Sequence, residues 1–366
     1  WDTLIQRKNQ RHIPYFLITS KVLKSIYVGP ESDKPSFSWV SKDIFDTLKD
    51  EYNVIYFRAF KEIPKSFDGL VFIIKEMPPL SFFVNNWKSR KIYIPVDFFK
   101  SEKHINDASL LLKLFDRIAV HNDLLKRFID SENVSNVDHY VKYLVERKEP
   151  QNRYMWLGVV DYIPDLLRNL SKYPVLLQIP HVFLTDLDHL KKSLHSVVAE
   201  GEVGHNVYDV DVTEDKVFIG NYCFEQWSES SQRAAFERSA FAVDFKSDRF
   251  YHSTKPPTKV QVYLANDVPV FVNDEHYAVE YIRQFGFDCY TMSDFVFPLT
   301  NEMLTSQSTK ARQMWSLESI AQQYVNLANQ TLSQTRKSYF GYGSIVFSLM
   351  VKKLVKLIHS SWNKSQ

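Results

Sequence analysis

Several segments of the first half are apolar at consecutive positions, which predicts strands buried on both faces. These runs cover residues 25–30, 53–60, 67–75 and 90–99. Between them, segment 36–52 carries apolar residues at helical spacing, and segment 107–130 reads as a helix, a short strand and a second helix. Buried strands that alternate with helices predict a parallel, doubly wound sheet.

A charged stretch at 146–152 contains a proline and has no apolar period, so it predicts a linker. A second alternating series follows it. Its expected strands are the apolar runs 153–160, 174–180, 216–224 and 240–245. We therefore predict an α/β fold class, in which two Rossmann-like doubly wound domains face a cleft. The N-terminal domain is expected at 1–150 and the C-terminal domain at 151–340.

The last segment, 341–366, predicts an amphipathic helix, with apolar residues on one face and Lys352, Lys353 and Lys356 on the other. In the first interpretation the helix crosses back and packs on the N-terminal domain. In the second, its lysines contact anionic lipid, which would make the protein peripheral at the inner membrane face. We favour the first interpretation, and the two are compatible.

Composition limits the partners and the compartment. Lys and Arg number 45 against 43 Asp and Glu, and this balance argues against a nucleic-acid partner. The two cysteines are too few for a disulfide framework, which favours a reducing, cytoplasmic setting. The longest apolar runs are too short to span a bilayer. Because the chain opens at Trp1, a piece of a longer polypeptide is an open alternative.

Residues 253–272, "STKPPTKVQVYLANDVPVFV", predict an anion site. They lie beyond a buried strand, where parallel sheets bind ligands. The prolines at 256–257 suit a helix start, so the free N–H groups of the first turn, together with Lys255 and Lys259, would attract a diphosphate. The alternative is a solvated basic loop in front of an ordinary helix.

The same stretch resembles a known family. "PPTKVQVYLANDVPVF" (256–271) is similar to the segment K-L-x-E-Y-L-A-x-G-x-P-V-I of GT-B-fold glycosyltransferases, the type that builds bacterial polysaccharides. Looser likeness covers segments 25–48, 107–129 and 153–170. The resemblance implies a hexosyltransferase-like enzyme that moves a sugar from a nucleotide-sugar donor to a glycan or lipid-linked acceptor. The nucleotide sugar would be a substrate, with no cofactor.

Carried over by position, Thr258 and Lys259 would face the donor phosphates. The preceding loop and the lone glycine after the first strand of the second series complete the expected donor-binding set. That set is Gly158, Arg249, Tyr251, Lys255, Thr258 and Lys259. Two departures matter: the family glutamate that binds the donor ribose falls at Val262, and a family glycine falls at Asp267.

On the acceptor side, Glu31 or Asp33 follows the first strand and could act as the general base that deprotonates an acceptor hydroxyl. A polar loop with capping serines is the alternative. His121 also follows a strand and could therefore lie near the cleft, and a structural histidine is the alternative. The Asp-x-Asp triplets at 186–188 and 209–211 are of a kind expected by chance in a chain this acidic, so we predict no metal site.

Two further functions stay open. A nucleotide-sugar epimerase of the same fold would need a pair of acid and base carboxylates in the cleft, and the sequence singles out no such pair. A non-catalytic sugar- or nucleotide-binding domain of a larger protein is favoured by Val262 in place of the ribose glutamate and by the reduced glycine loop at Gly158.

Overall fold

The computed structural model describes residues 24–201, 209–335 and 339–362. In these ranges the strands form two sheets, one of six strands and one of eight. The side chains of Lys353 and Lys356, two of the three lysines predicted on the final helix, lie outside the described set.

The first sheet is parallel throughout, and its strand order is β2-β1-β3-β4-β5-β6. Its strands are β1 (Lys24–Gly29), β2 (Tyr52–Tyr56), β3 (Leu70–Ile74), β4 (Arg90–Ile94), β5 (Arg117–Val120) and β6 (Val134–Asn136). The helices between them are α1 (Pro35–Phe37), α2 (Asp43–Asp46), α3 (Leu80–Asn85), α4 (Glu102–Leu112) and α5 (Asp123–Phe128). β3 and β4 are buried along their whole length, because helices cover both faces of the sheet.

The second sheet has the order β14-β13-β12-β7-β8-β11-β10-β9. Its strands are β7 (Gln151–Leu157), β8 (His181–Thr185), β9 (Val210–Val212), β10 (Lys216–Ile219), β11 (Tyr222–Gln226), β12 (Ser239–Asp244), β13 (Val270–Val272) and β14 (Tyr290–Thr291). The pairings from β14 to β11 are parallel, whereas β10 and β9 extend the edge in antiparallel fashion. The parallel α/β architecture predicted from the sequence is therefore confirmed.

The remaining helices follow the second sheet and then return to the first. They are α6 (Ile163–Leu170), α7 (Leu187–Gly201), α8 (Glu229–Arg238), α9 (Phe250–Ser253), α10 (Thr258–Ala265), α11 (Ala278–Arg283), α12 (Ser308–Met314), α13 (Leu317–Ser333) and α14 (Tyr339–Trp362). Tyr324 of α13 donates to the Val40 carbonyl at 3.0 Å, and Tyr342 of α14 donates to the Phe83 carbonyl at 3.1 Å. The chain therefore crosses back to the first sheet from α13 onward.

Three local predictions need correction. The run 174–180 forms a 3-10 helix at Pro174–Gln178 instead of a strand, and the strand is the next segment, β8. The run 216–224 is a hairpin of β10 and β11, which turns at Gly220 with φ of 58°. Segment 36–52 is broken by a π-helix at Ser38–Lys42.

Candidate functional site

A buried charge cluster lies at the carboxyl end of β12. The carboxylate Oδ1 of Asp244 is 3.2 Å from Lys246 Nζ and 3.7 Å from Lys259 Nζ. Its Oδ2 is 3.7 Å from His276 Nε2. Topology explains the meeting point, because β12 and β13 are parallel neighbours and α10 connects them. Two lysines thus share one carboxylate at the edge of the sheet where parallel folds bind ligands.

Electrostatics within the cluster is unevenly balanced. Burial opposes the charge on Asp244, but Lys246, Lys259 and His276 outweigh it and hold the pKa of that carboxyl well below its usual range. Burial and the nearby Lys246 ammonium together lower the pKa of Lys259 to about 7. About a quarter of the Lys259 side chain is exposed, yet its Nζ is buried and forms no hydrogen bond. Lys259 is therefore a cation with too little compensating charge.

Two aromatic rings complete the pocket around these lysines. The Tyr162 ring centroid lies 4.3 Å from Lys246 Nζ, 5.1 Å from Lys255 Nζ and 5.0 Å from Lys259 Nζ. Trp156, at the end of β7, has its ring 5.2 Å from Lys259 Nζ. Cation–π attraction stabilises each lysine by about 0.5–2 kcal/mol but leaves its N–H donors free. The rings hold the ammonium groups together while those donors stay available.

Several buried donors around this point form no hydrogen bond. They are Trp156 Nε1, Tyr162 Oη, Thr258 Oγ1 and Lys259 Nζ. Leaving a buried donor unpaired costs about 1–3 kcal/mol, so a native fold rarely gathers several at one place unless a ligand accepts from them. Asp244 Oδ1 and His276 Nε2 in the same cluster also form no hydrogen bond, and an anion with several acceptor oxygens matches the unpaired donors.

The first turn of α10 points to the same kind of ligand. The helix begins at Thr258 without a side-chain cap, so its leading N–H groups are free within the helix and carry the positive end of the dipole. The chain behind this turn is fixed by Tyr263, whose hydroxyl accepts a bond from the Leu157 amide at 3.2 Å. Diphosphate oxygens are the acceptors that such a helix start favours.

The structure accounts for one of the two departures from the family motif. Asp267 stands in the left-handed region, with φ of 57°, where the family has glycine. Its carboxylate accepts from the Ser306 hydroxyl at 2.6 Å and the Ser308 hydroxyl at 2.7 Å, and these bonds hold the strained backbone. Val262, at the position of the ribose-binding glutamate, is 6% exposed and packs in the core.

A small cleft opens next to Lys255, between the two sheets. The first sheet contributes the loops after β4 and β5, with Asp97 and His121, and the second contributes Tyr251, Lys255 and their neighbours. The Tyr251 ring lies 5.1 Å from Lys255 Nζ. Asp97 has a φ of 51°, an unfavourable conformation that turns this residue into the cleft wall.

Asn122 joins the two halves beside this cleft. Its side-chain amide donates to the Lys255 carbonyl at 2.7 Å and to the Ser253 carbonyl at 3.1 Å, while its Oδ1 caps α5. Tyr277, which follows β13, also donates to the Lys255 carbonyl. The loop that carries Lys255 is thus bonded to both sheets.

The sequence-predicted residues divide into two groups. The cleft is lined by Tyr251 and Lys255. The start of α10, beside the charge cluster of Asp244, carries Thr258 and Lys259. Arg249 is exposed and pairs with Glu200 at 3.3 Å.

The two candidate bases lie elsewhere on the first sheet. Glu31 pairs with Arg58 at 3.4 Å, and Asp33 is exposed. His121 lies in the cleft wall, where burial lowers its pKa to about 4 and its Nδ1 contacts the Val137 carbonyl at 2.6 Å.

The two Asp-x-Asp triplets lie apart from the lysine cluster. Asp186 accepts from the His189 amide at 3.0 Å and so caps α7, and Asp211 lies on the exposed edge strand β9. Within the described ranges, no three His, Cys, Asp or Glu side chains are grouped so as to hold a metal ion.

Sequence reasoning missed Asp244, Lys246, His276 and the rings of Trp156 and Tyr162. One signal was available for the first two, since "AVDFK" places a carboxylate and a lysine at the end of a buried strand. Nothing in the sequence separates Trp156 and Tyr162 from core aromatics.

Gly158 gives a test of the pocket wall. A Cβ built on it would lie 2.0 Å from Cζ2 of Trp156, a ring that faces Lys259. We therefore expect Gly158→Ala to displace this ring and lower the free energy of unfolding by about 1–3 kcal/mol, as overpacking does. Urea unfolding measures the change, and Gly343→Ala, where a Cβ meets nothing within 4 Å inside helix α14, is a control that should not destabilise the protein.

No protein-family model and no curated protein matches the sequence, whereas solved structures do resemble it. AviGT4, a glycosyltransferase involved in avilamycin A biosynthesis, has a TM-score of 0.52 at 12% identity, over 86% of this chain and 100% of its own. HepE from Anabaena, solved with UDP-glucose, has a TM-score of 0.49 at 10% identity, over 85% and 99%. The match to AviGT4, together with the two mainly parallel sheets, shows that the chain has the GT-B fold.

Proposed function

We propose that this protein is a glycosyltransferase that takes a sugar from a nucleotide diphosphate donor and transfers it to a hydroxyl of a glycan or lipid-linked acceptor. The observation that carries the proposal is the lysine cluster of Lys246 and Lys259 with its unpaired buried donors. The GT-B fold shared with AviGT4 is consistent with it.

The cluster supplies what the leaving group requires. When the bond between the sugar carbon and the diphosphate oxygen breaks, negative charge collects on the diphosphate. Lys259, Lys246 and the first-turn amides of α10 are already in place to stabilise that charge, so little reorganisation is needed during the reaction. A charge-assisted hydrogen bond contributes roughly 1.5–3 kcal/mol, which lets these groups hold the diphosphate without a metal ion.

The acceptor would enter from the cleft wall of the first sheet. Its hydroxyl attacks the sugar carbon, and its proton passes to a carboxylate. Glu31 and Asp33 are the bases proposed from the sequence, and Asp97 is a carboxylate that lines the cleft itself. Comparing Asp97→Asn, Glu31→Gln and Asp33→Asn in a transfer assay decides between them, because loss of the base lowers kcat and leaves donor binding intact.

The direct test is a thermal-shift screen with a panel of nucleoside diphosphates. One member should stabilise the protein by about 2.7 kcal/mol at a hundred times its Kd. EDTA should leave the shift unchanged if lysines alone neutralise the diphosphate. Stabilisation without any sugar transfer would favour the non-catalytic binding domain, which the buried Val262 also suits. No response to any member would contradict the proposal.

The pH dependence of donor binding follows from the pKa of Lys259, about 7 in the free protein. A bound diphosphate favours the charged ammonium, so affinity should fall by on the order of tenfold between pH 7.5 and 8.5 as the free lysine loses its proton. Asp244, Lys246, Lys255 and His276 face it.

Two of these neighbours do not confuse the measurement, because the pKa values of Asp244 and His276 are both lowered and lie below this range. Isothermal titration with a nucleotide sugar measures the slope. If Lys259→Met keeps the slope of the wild type, another group is responsible.

A further inference from the structure

A buried histidine packs against the two tyrosine rings that contact the lysines. His252, on α9, has a ring centroid 4.6 Å from that of Tyr162 and 4.2 Å from that of Tyr251. Each of these tyrosine rings lies 5.1 Å from Lys255 Nζ, and Tyr162 is also close to the lysine cluster. His252 therefore touches both rings beside the ammonium groups.

A buried carboxylate on α6 anchors this histidine. Nδ1 of His252 lies 2.9 Å from Oδ2 of Asp165 and 2.6 Å from the Ser247 hydroxyl. The other carboxylate oxygen of Asp165 accepts a hydrogen bond from Arg168. Burial opposes the charge on Asp165, but His252 and Arg168 outweigh it and lower the pKa of that carboxyl. A charged carboxylate beside Nδ1 favours the proton on that nitrogen and holds the imidazole in one orientation.

Neither group lies where a ligand could reach it. The side chain of His252 is 1% exposed and that of Asp165 is 2% exposed. Within the described part of the chain, His252 Nε2 forms no hydrogen bond, so the polar contacts that orient the ring are those of Nδ1. Replacing a buried pair of this kind by apolar residues of similar volume often costs no stability, so stability alone does not explain the pair.

We propose that Asp165 and His252 are positioning residues of the diphosphate site. They would fix the two tyrosine rings, and the rings in turn would fix the ammonium groups that bind the diphosphate. Groups that bind a ligand must be held to within about 0.5 Å, which requires that the residues around them are themselves locked. The inference deepens the proposed function, because it rests on diphosphate binding at the lysine cluster.

Isothermal titration with inorganic pyrophosphate tests the proposal without a nucleotide. Asp165→Asn keeps the size of the side chain and removes a negative charge. If Asp165 acted on the anion through its charge alone, this change would strengthen pyrophosphate binding. We expect the opposite, an affinity lower by about tenfold, which is the low end of the range for losing a partner that orients a binding residue.

Two changes of His252 separate orientation from packing. His252→Leu is similar in size and has no polar atom, whereas His252→Asn keeps an amide close to the position of Nδ1. If orientation matters, His252→Asn binds pyrophosphate more tightly than His252→Leu, and if packing alone matters the order is reversed. The titration also gives the number of sites per chain, so partial unfolding lowers that number and is distinguished from a loss of affinity.

His181→Leu is the matched control. His181 also packs against two tyrosine rings, with its centroid 5.7 Å from those of Tyr154 and Tyr222. It is the first residue of β8, however, whereas the lysine cluster lies at the carboxyl ends of the strands. We expect His181→Leu to bind pyrophosphate like the wild type.

Three results would overturn the proposal. The first is pyrophosphate binding by Asp165→Asn that equals or exceeds that of the wild type. The second is unchanged affinity in His252→Leu at one site per chain, and the third is a wild type that does not bind pyrophosphate. Failure of the proposed function gives a different result: the wild type binds pyrophosphate, but no nucleoside diphosphate of the panel stabilises it.

Discussion

Lys259→Met is expected to abolish nucleotide-dependent stabilisation and, at the same time, to raise the melting temperature of the free protein. Loss of two charge-assisted contacts at roughly 1.5–3 kcal/mol each should weaken diphosphate binding by at least about a hundredfold. The free protein gains stability because its fold disfavours the Lys259 ammonium, whose pKa of about 7 lies well below the value of 10.5 for a lysine in water. The unfolded chain therefore binds more protons between pH 7 and 10.5.

The sign of the second effect makes this experiment decisive. A lysine kept for structure would lower the melting temperature when removed, whereas one kept for a ligand raises it. Differential scanning fluorimetry at pH 7, with and without the nucleotide selected from the panel, measures both quantities in one experiment. Lys172→Met, at an ordinary surface position, is the control and should change neither. A melting temperature that falls while nucleotide binding persists would remove Lys259 from the site.

Asp244→Asn should be among the most destabilising single changes in the chain. The substitution keeps the shape but leaves Lys246 and Lys259 without their shared counter-ion, in a place where the Asp244 side chain is 2% exposed. Breaking a buried ion pair in this way costs about 3–5 kcal/mol. Urea unfolding at pH 7 measures the loss. Asp211→Asn, on the exposed edge strand β9, should stay within about 0.5 kcal/mol of the wild type.

A double mutant shows where that loss comes from. If Asp244→Asn destabilises because Lys259 is left uncompensated, Asp244→Asn combined with Lys259→Met should recover part of the stability. Additive losses would mean that Asp244 acts through other contacts. The pH dependence from Asp244 has the same sign as that from Lys259 but lies at lower pH: because the folded-state pKa of Asp244 is lowered, its stabilising contribution is complete above its unfolded value of 3.8 and falls away at lower pH.

Sequence pattern predicted the features that depend on neighbouring residues. Buried parallel strands such as β3 and β4 appear as unbroken apolar runs, and the proline pair at 256–257 marks the start of α10 within one residue. The hairpin of β10 and β11 was also within reach, because Gly220 and the asparagine after it are a turn signal between two apolar runs. The prediction of a strand at 174–180 was wrong. The composition of this run suits a strand, but Val175 and Leu177 are 44% exposed.

The remainder of the site depends on contacts between distant segments. Asp244 and His276 are 32 positions apart and meet because β12 and β13 are neighbours, and Tyr162 reaches the lysines from the 3-10 helix that follows β7. The spacing of residues along the chain does not predict these tertiary contacts. The sequence therefore predicted that Lys255 and Lys259 bind the anion. It did not show which neighbouring groups shift the pKa values of these lysines.

The Lys255 carbonyl accepts hydrogen bonds from both halves of the molecule. Asn122 reaches it from the first sheet and Tyr277 from the second, so a rotation that parts the sheets must break the Asn122 bond. The Tyr277 bond would remain, so the loop that carries Lys255 would stay attached to the second sheet. If the sheets separated, the Lys255 ammonium would therefore stay with Lys246 and Lys259, and only the first-sheet wall of the cleft would move away from it.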